Sequence, residues 1–135
     1  MLDRSERSIY MKIEVSNGEL VDKVSILSIK IQKFKSSQKR SNVQREYDLL
    51  LPLMKRAGIN ESSTNFQRLM DVNLRLWEIE DQIRQKESLG EFDQSFIQLA
   101  RSVYVENDKR FQIKREINEI TGSHIIEEKE YVDYS

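Results

Sequence analysis

The sequence predicts an all-α protein, folded as an antiparallel bundle of about four helices. Charged residues make up 33% of the 135 residues, and only four glycines and one proline interrupt the chain, a composition typical of long amphipathic helices. Apolar residues recur at alternating steps of three and four, the period of a helix with one buried face. Because this length suits one core, we predict that residues 11–135 form a single helical domain.

The N-terminal region is expected to differ from the rest. Residues 1–10 are predicted to be a disordered leader, and Met11 is an alternative natural start to Met1. Apolar side chains alternate from residue 9 to residue 15, which is the period of a short strand. Two arrangements of the C-terminal tail are predicted. The tail pairs with this N-terminal strand, or it lies across the bundle.

The first helix has a recognisable start. Ser16 and Glu19 have the spacing of a capping box, in which Ser16 accepts the Glu19 amide proton and the Glu19 side chain reaches back. One apolar stripe follows, formed by Leu20, Val24, Leu27, Ile31 and Phe34. The polar segment 35–40 is predicted to be a linker.

The second helix is predicted to begin with another capping box at Ser41–Gln44. Pro52 lies inside its apolar pattern and predicts a kink or an early end near residues 49–51, because proline lacks the backbone N–H. Gly58 is the predicted stop.

The third and fourth helices are expected to be the longest. Thr64 opens the third and Gly90 closes it, whereas Asp93 caps the fourth and Gly122 ends it. The short connection between Gly90 and Asp93 predicts an antiparallel hairpin.

Composition argues against several classes of function. The 22 basic and 23 acidic residues give a net charge of -1, so no basic excess is present for a nucleic-acid backbone. No cysteine is present, which removes disulfides and thiolate chemistry. No apolar run approaches the roughly 20 residues that span a bilayer. We therefore expect no nucleic-acid partner, no membrane insertion and a cytoplasmic location.

A second stripe on each long helix mixes polar and aromatic residues where a purely apolar face is expected. Such groups are costly to bury unless they are paired. Two interpretations remain open: a structural network of salt bridges, exemplified by the i,i+4 pair Glu80 and Arg84, or a cleft for a small polar ligand with Trp77 as a stacking face. The predicted ligand-binding residues are Lys23, Asn73, Trp77, Glu80, Arg84, Tyr104, Asn107 and Lys114.

Two E-x-x-D spacings offer an alternative metal site. Glu19 with Asp22, and Glu78 with Asp81, would each share a helix face and could bind a hard cation such as Mg²⁺. All-α nucleotide pyrophosphohydrolases use paired acidic motifs of this kind, but in denser acidic runs, and Lys23 opposes a cation here. We predict no cofactor, with Mg²⁺ as the alternative.

Three sequence signatures resemble those of an uncharacterised bacterial family of small helical proteins. The opening signature is Ser16–Lys23 and the central one is Leu76–Arg84. The closing signature comprises Leu99–Tyr104, Asn107–Arg110, Lys114–Asn118, Gly122–Ser123 and Glu127–Lys129. The resemblance covers about residues 11–131 and implies an association with surface-polysaccharide gene neighbourhoods and glycosyltransferases. It implies no established activity.

Three hypotheses of function follow. The first is a non-enzymatic binding or accessory module linked to glycan or nucleotide-sugar metabolism, because no catalytic constellation is recognisable. The second is a small helical enzyme, either a Mg²⁺-dependent nucleotide hydrolase or a mutase-like enzyme that grips a carboxylated substrate with Lys23, Arg84 and Lys114. The third is a structural homodimer, because Val21, Ile26 and Ile29 add apolar surface outside the main stripe of the first helix.

Overall fold

The computed structural model describes residues 9–135 and confirms the all-α prediction. Residues 1–8, which belong to the predicted leader, lie outside the described residues. The described part of the chain forms four helices: α1 (Asn17–Lys33), α2 (Ser37–Arg56), α3 (Thr64–Leu89) and α4 (Gln94–Thr121). None of these helices has the length and continuous apolarity needed to cross a bilayer.

The predicted ends of α3 and α4 are confirmed. Asp93 caps α4 by accepting a 3.0 Å hydrogen bond from the Phe96 backbone N–H. Gly90 and Gly122 close α3 and α4 in the left-handed region, at φ values of 66° and 62° that favour glycine. α3 begins at Thr64, with Ser63 in the N-cap position.

α2 departs from the prediction at its start and at Pro52, whereas Gly58 follows its end as predicted, with a φ of 87°. It begins at Ser37, and the Ser36 hydroxyl accepts from the Lys39 backbone N–H, so the proposed cap at Ser41 is wrong. Residues 37–40 lack apolar periodicity, but Gln, Lys and Arg are good helix formers. α2 also continues through Pro52 to Arg56. Burial of Met54 in the core stabilises the turn that follows the proline.

The predicted N-terminal strand does not form. Residues 9–16 have no helix or strand, and Ile9, Met11 and Ile13 are each more than 80% exposed. The four helices present no strand edge with which the segment could pair. The tail after Gly122 is also without regular structure, and it lies against α4, where the Tyr134 hydroxyl donates a 2.7 Å hydrogen bond to Asp108. The alternative of a tail lying across the bundle is therefore the correct one.

α1 is the central helix, because it packs against each of the other three. Cross-helix pairs show that α4 runs antiparallel to α3: Arg68 pairs with Glu116, and Arg75 pairs with Glu106. The core joins all four helices through Val21, Val24, Met54, Leu69, Val72, Ile113 and Ile117.

The apolar residues that motivated the homodimer are mostly used inside the chain. Val21 and Ile29 are almost fully buried, and Ile26 is half-buried. The reason is that α1 has neighbours on three sides, so it needs more than one apolar stripe. The homodimer itself stays a prediction, without this argument in its favour.

The start of α1 docks closely on α4. The Gly18 backbone N–H donates to Asn118 Oδ1 at 2.6 Å, and the Asn17 N–H donates to Ser123 Oγ at 2.9 Å. A Cβ atom at Gly18 would collide with the Lys114 carbonyl oxygen, so the close approach requires glycine. Segments of the opening and closing signatures therefore meet in space, and their contacts hold α1 against α4.

Only half of the predicted capping box forms at this start. Ser16 Oγ accepts from the Glu19 backbone N–H at 3.1 Å, as expected. The Glu19 carboxylate instead accepts a hydrogen bond from Lys114 on α4. An ion pair with the Lys114 ammonium group has replaced the local bond to the backbone N–H of Ser16, because here both partners are charged.

Candidate functional site

A buried ion pair lies where α1, α3 and α4 meet. The Asp22 side chain on α1 is only 1% exposed and accepts from Arg110 Nε at 3.0 Å and Nη2 at 2.5 Å, in a two-point geometry. Asn73 on α3 donates to the same carboxylate at 2.9 Å. The carboxylate is therefore satisfied from both neighbouring helices, which is the condition for burying such a charge.

Ser25 completes this network. Its hydroxyl accepts from Asn73 Nδ2 at 2.8 Å and donates to the Asp22 backbone carbonyl at 2.6 Å. The hydrogen bond to Asp22 raises the pKa of Arg110 above its ordinary value and outweighs the opposing effect of burial. Within residues 9–135, every buried polar side-chain atom has a hydrogen-bond partner. The network thus rigidly sets the relative positions of three helices.

Lys114 forms a second buried ion cluster. Its side chain is 8% exposed and donates to Glu19 at 2.6 Å and to Glu127 at 2.9 Å. Burial lowers the pKa of Lys114, but the hydrogen bonds to Glu19 and Glu127 outweigh it, so the net pKa is raised. Lys114 therefore stays an ammonium group and ties α4 to α1 and to the beginning of the tail.

An open cleft of about 410 Å³ lies beside the Asp22–Arg110 pair, between α1, α3 and α4. We call it the Trp77 cleft. Its apolar wall is formed by Ile26, Ile29 and Leu76. Its polar and aromatic lining is formed by Asn73, Trp77, Glu80, Asp81, Asn107 and Arg110. Arg110 thus connects the buried network to the cleft.

The indole of Trp77 is held by the end of α1. Its ring centroid is 6.1 Å from that of Phe34, and the two planes are tilted by 48°. Such an aromatic pair restricts the orientation of both rings. Trp77 therefore presents a pre-set apolar surface to the cleft, and it is the only tryptophan in the chain.

The charge in the cleft is predominantly negative. Glu80 and Asp81 both line it, whereas the charge of its one lining cation, Arg110, is offset by Asp22. Arg84 approaches Glu80 at 3.8 Å, but the Arg84 side chain is 80% exposed, and an ion pair of this kind is worth little in water. The cleft is thus suited to groups that donate hydrogen bonds.

Four of the eight predicted ligand-binding residues line the Trp77 cleft, namely Asn73, Trp77, Glu80 and Asn107. The Asn73 amide is already engaged by Asp22 and Ser25. The other four lie elsewhere. Lys23 pairs with Glu46 on α2 at 3.1 Å, Arg84 pairs with Glu80, Lys114 is enclosed by Glu19 and Glu127, and Tyr104 packs on Tyr134 of the tail.

The ligand-site prediction missed Arg110, Asp81 and the apolar wall. Arg110 interrupts the inward stripe of α4, which is the signal that identifies it as a polar residue on a buried face. Its partner Asp22 is 88 residues away in the sequence, so spacing alone does not pair them. The wall residues Ile26 and Ile29 have no signal that distinguishes them from the core.

The two acidic pairs predicted as alternative metal ligands have different surroundings. Asp22 is bound by Arg110 and Asn73, and Glu19 is bound by Lys114. Glu78 and Asp81 are exposed on α3. Across the described range 9–135, no three side chains of histidine, aspartate, glutamate or cysteine are grouped to hold a metal. Magnesium binding stays the alternative to the prediction of no cofactor.

Comparison with known proteins places the chain in a family without giving it an activity. No curated protein matches the sequence, and no solved structure matches the fold. The sequence model described as a family of unknown function, DUF6165, matches residues 11–134, almost the whole chain. This chain is therefore a member of the DUF6165 family.

Proposed function

We propose that this protein is a non-enzymatic binding module whose ligand is a small hydroxylated molecule, a sugar, held in the Trp77 cleft. One observation carries the proposal: a single cleft brings together an indole, two carboxylates, two side-chain amides and a guanidinium from α3 and α4, beside an apolar wall to which α1 contributes. These are the groups that recognise a sugar, because a sugar has an apolar C–H face and a rim of hydroxyls.

Each lining residue has a defined part in this recognition. The Trp77 ring provides a flat apolar surface for the C–H face of the sugar. Glu80 and Asp81 accept hydrogen bonds from hydroxyls, Asn107 both donates and accepts, and Arg110 donates. The buried Asp22–Arg110 pair fixes the guanidinium in advance, so little conformational entropy is lost on binding.

Volume and charge narrow the ligand class. A cleft of about 410 Å³ lies within the range of small-molecule sites, roughly 300–1,000 Å³. Two unit charges 4 Å apart interact by about 1 kcal/mol in water and by about 4 kcal/mol near a protein surface. Glu80 and Asp81 would therefore oppose the phosphates of a nucleotide sugar. An uncharged saccharide fits this lining better.

The geometry supports binding more than catalysis. The three cations proposed to grip a carboxylated substrate are not part of the Trp77 cleft lining. Lys23 and Lys114 pair with carboxylates elsewhere, and the exposed Arg84 only approaches Glu80 at the rim. Glu80 and Asp81 are adjacent on α3, and neighbouring helix positions do not face each other across a bound molecule. The lining thus favours the binding module over the mutase-like enzyme.

Thermal shift and tryptophan fluorescence test this function. We expect neutral monosaccharides and disaccharides to raise the melting temperature and to change the emission of Trp77 in a saturable way. Nucleotide sugars should bind more weakly than the free sugars. The variant Asn107→Ala should weaken binding by about tenfold, whereas Gln82→Ala, an exposed residue of α3 outside the cleft, should bind normally.

The proposal has a clear negative result. If a broad set of neutral saccharides leaves both the melting temperature and the Trp77 emission unchanged, the cleft does not bind sugars. Release of phosphate from nucleotides with Mg²⁺, abolished by Asp81→Ala, would instead establish the hydrolase.

A further inference from the structure

A second and larger cavity also borders α4. It has a volume of about 900 Å³ and opens to solvent between α4 and the C-terminal tail, and we call it the tail cavity. Tyr104, Asn107 and Asp108 line it from α4, and Lys129, Tyr131 and Tyr134 line it from the tail. Nothing in the function proposed above uses this space.

The two cavities meet at Asn107, which lines both of them. On α4, residues three and four apart share a face, so Tyr104, Asn107 and Asp108 present one surface to the tail cavity. Arg110 lies three residues after Asn107 and opens onto the Trp77 cleft. The surface of α4 therefore connects the two spaces without an intervening element.

The two cavities repeat the same chemistry. The Trp77 cleft combines an aromatic ring with the carboxylates of Glu80 and Asp81. The tail cavity combines the rings of Tyr104, Tyr131 and Tyr134 with the carboxylates of Asp108 and Asp133 and with the Lys129 ammonium group, as Arg110 supplies a cation to the Trp77 cleft. Each has an apolar flat surface beside hydrogen-bond acceptors. Repetition of one lining along a groove is expected for a ligand made of repeated units.

The tail is firmly attached at its beginning and weakly attached at its end. Glu127 is bound by the buried Lys114 at 2.9 Å. Farther along, the rings of Tyr104 and Tyr134 are 4.8 Å apart, and Lys129 Nζ lies 5.2 Å from the centre of the Phe111 ring. These later contacts are largely exposed, and exposed contacts are weak. The end of the tail can therefore adjust to a ligand while its beginning stays fixed.

We infer that the two cavities are subsites of one groove, and that the ligand is an oligosaccharide of at least two sugar units that passes over Asn107. The inference rests on the proposed function and adds the ligand's length. A tail cavity of about 900 Å³ approaches the upper end of the volumes typical for small-molecule sites, so a single sugar would leave most of it empty.

A series of glucose-based and N-acetylglucosamine-based oligosaccharides of increasing length, together with a glycan array, tests this inference. We expect affinity to rise from the monosaccharide to the trisaccharide. The full-length double variant Tyr104→Ala/Tyr134→Ala should bind oligosaccharides about tenfold more weakly. Its affinity for monosaccharides should be unchanged. Tyr10→Ala is the matched control, because Tyr10 is exposed and lines neither cavity.

Nuclear magnetic resonance adds a readout that does not depend on the variants. Backbone amide signals of residues 131–134 should shift with an oligosaccharide and remain unchanged with a monosaccharide. Monosaccharides binding as tightly as oligosaccharides, with no effect of the double variant, would overturn the inference and leave the proposed function intact. Absence of binding to every saccharide would remove both.

Discussion

Asp22 shows how a single residue acquires a role that its spacing does not reveal. Its E-x-x-D spacing with Glu19 is compatible with a metal site, but the folded chain encloses it between Arg110 and Asn73. Both partners are more than 50 residues away in the sequence. Local spacing predicts which helix face a residue occupies, and it does not predict which partner from another helix meets that face.

Removing the Asp22 charge should destabilise the protein. Asp22→Asn leaves the Arg110 guanidinium without its carboxylate, and breaking a buried pair typically costs about 3–5 kcal/mol. Because Arg110 is 28% exposed and can be partly hydrated, we expect about 3 kcal/mol in urea unfolding. Asp71→Asn, at an exposed position on α3, should change the free energy of unfolding by less than about 0.5 kcal/mol. An equal effect of the two variants would contradict this role.

Glu106 should make the folded protein less stable as the pH becomes acidic. Burial raises the pKa of Glu106, but hydrogen bonds from Arg75 and Lys109 outweigh it, so the net pKa is lowered in the folded state. A carboxyl with a depressed folded pKa stabilises the fold above its unfolded pKa, about 4.3, and loses that contribution as pH falls through the folded value.

Unfolding free energies measured at neutral pH and near pH ~3 check this dependence. The variant Glu106→Gln should lose less stability over this range than the parent protein. Glu78→Gln, at an exposed position on α3, should follow the parent profile. If Glu106→Gln lost as much stability in acid as the parent protein, groups other than Glu106 would cause the pH dependence of the unfolding free energy.

At the scale of elements, the ends of helices divide into predictable and unpredictable cases. The ends of α3 and α4 follow from Gly90, Asp93 and Gly122, whose backbone and capping preferences act locally. The start of α2 does not, because Ser36 and Ser41 offer competing caps of similar chemistry. The path through Pro52 is decided by burial of Met54, which is a tertiary effect.

The docking of α1 on α4 should depend on Gly18. In Gly18→Ala, the new methyl group meets the Lys114 carbonyl oxygen, which is backbone and cannot move aside easily. We expect a loss of about 2 kcal/mol, because overpacking a close contact typically costs 1–3 kcal/mol. Gln32→Ala, at an exposed position on α1, should be neutral in the same denaturation experiment. Gly18→Ala with the stability of the parent would contradict the close approach.

Replacing Pro52 by alanine should stabilise the protein. Proline inside a helix lacks one hydrogen-bond donor and disfavours the helix by about 3 kcal/mol relative to alanine. The gain in Pro52→Ala is reduced because the unfolded chain becomes more flexible. We therefore expect about 1–2 kcal/mol of added stability, seen as a higher melting temperature with unchanged helix content by circular dichroism. A lower melting temperature would show that the proline is required where it stands.

At the scale of the whole molecule, half of the predicted ligand-binding residues share one cleft. Asn73, Trp77, Glu80 and Asn107 do so because α3 and α4 turn these faces toward α1. Lys23, on the other hand, faces α2, and its long side chain pairs with Glu46. Helical periodicity gives the angle of a side chain about its own axis. The identity of the neighbouring helix on that side comes only from packing.

The most direct test of the sugar-binding cleft is the indole N–H signal of Trp77 in a nuclear magnetic resonance titration. The chain has one tryptophan, so this signal belongs to the cleft without ambiguity. With neutral saccharides we predict a saturable shift, which Asn107→Ala weakens and Gln82→Ala leaves unchanged. An indole signal that stays in place throughout the titration, in a correctly folded sample, would contradict the account.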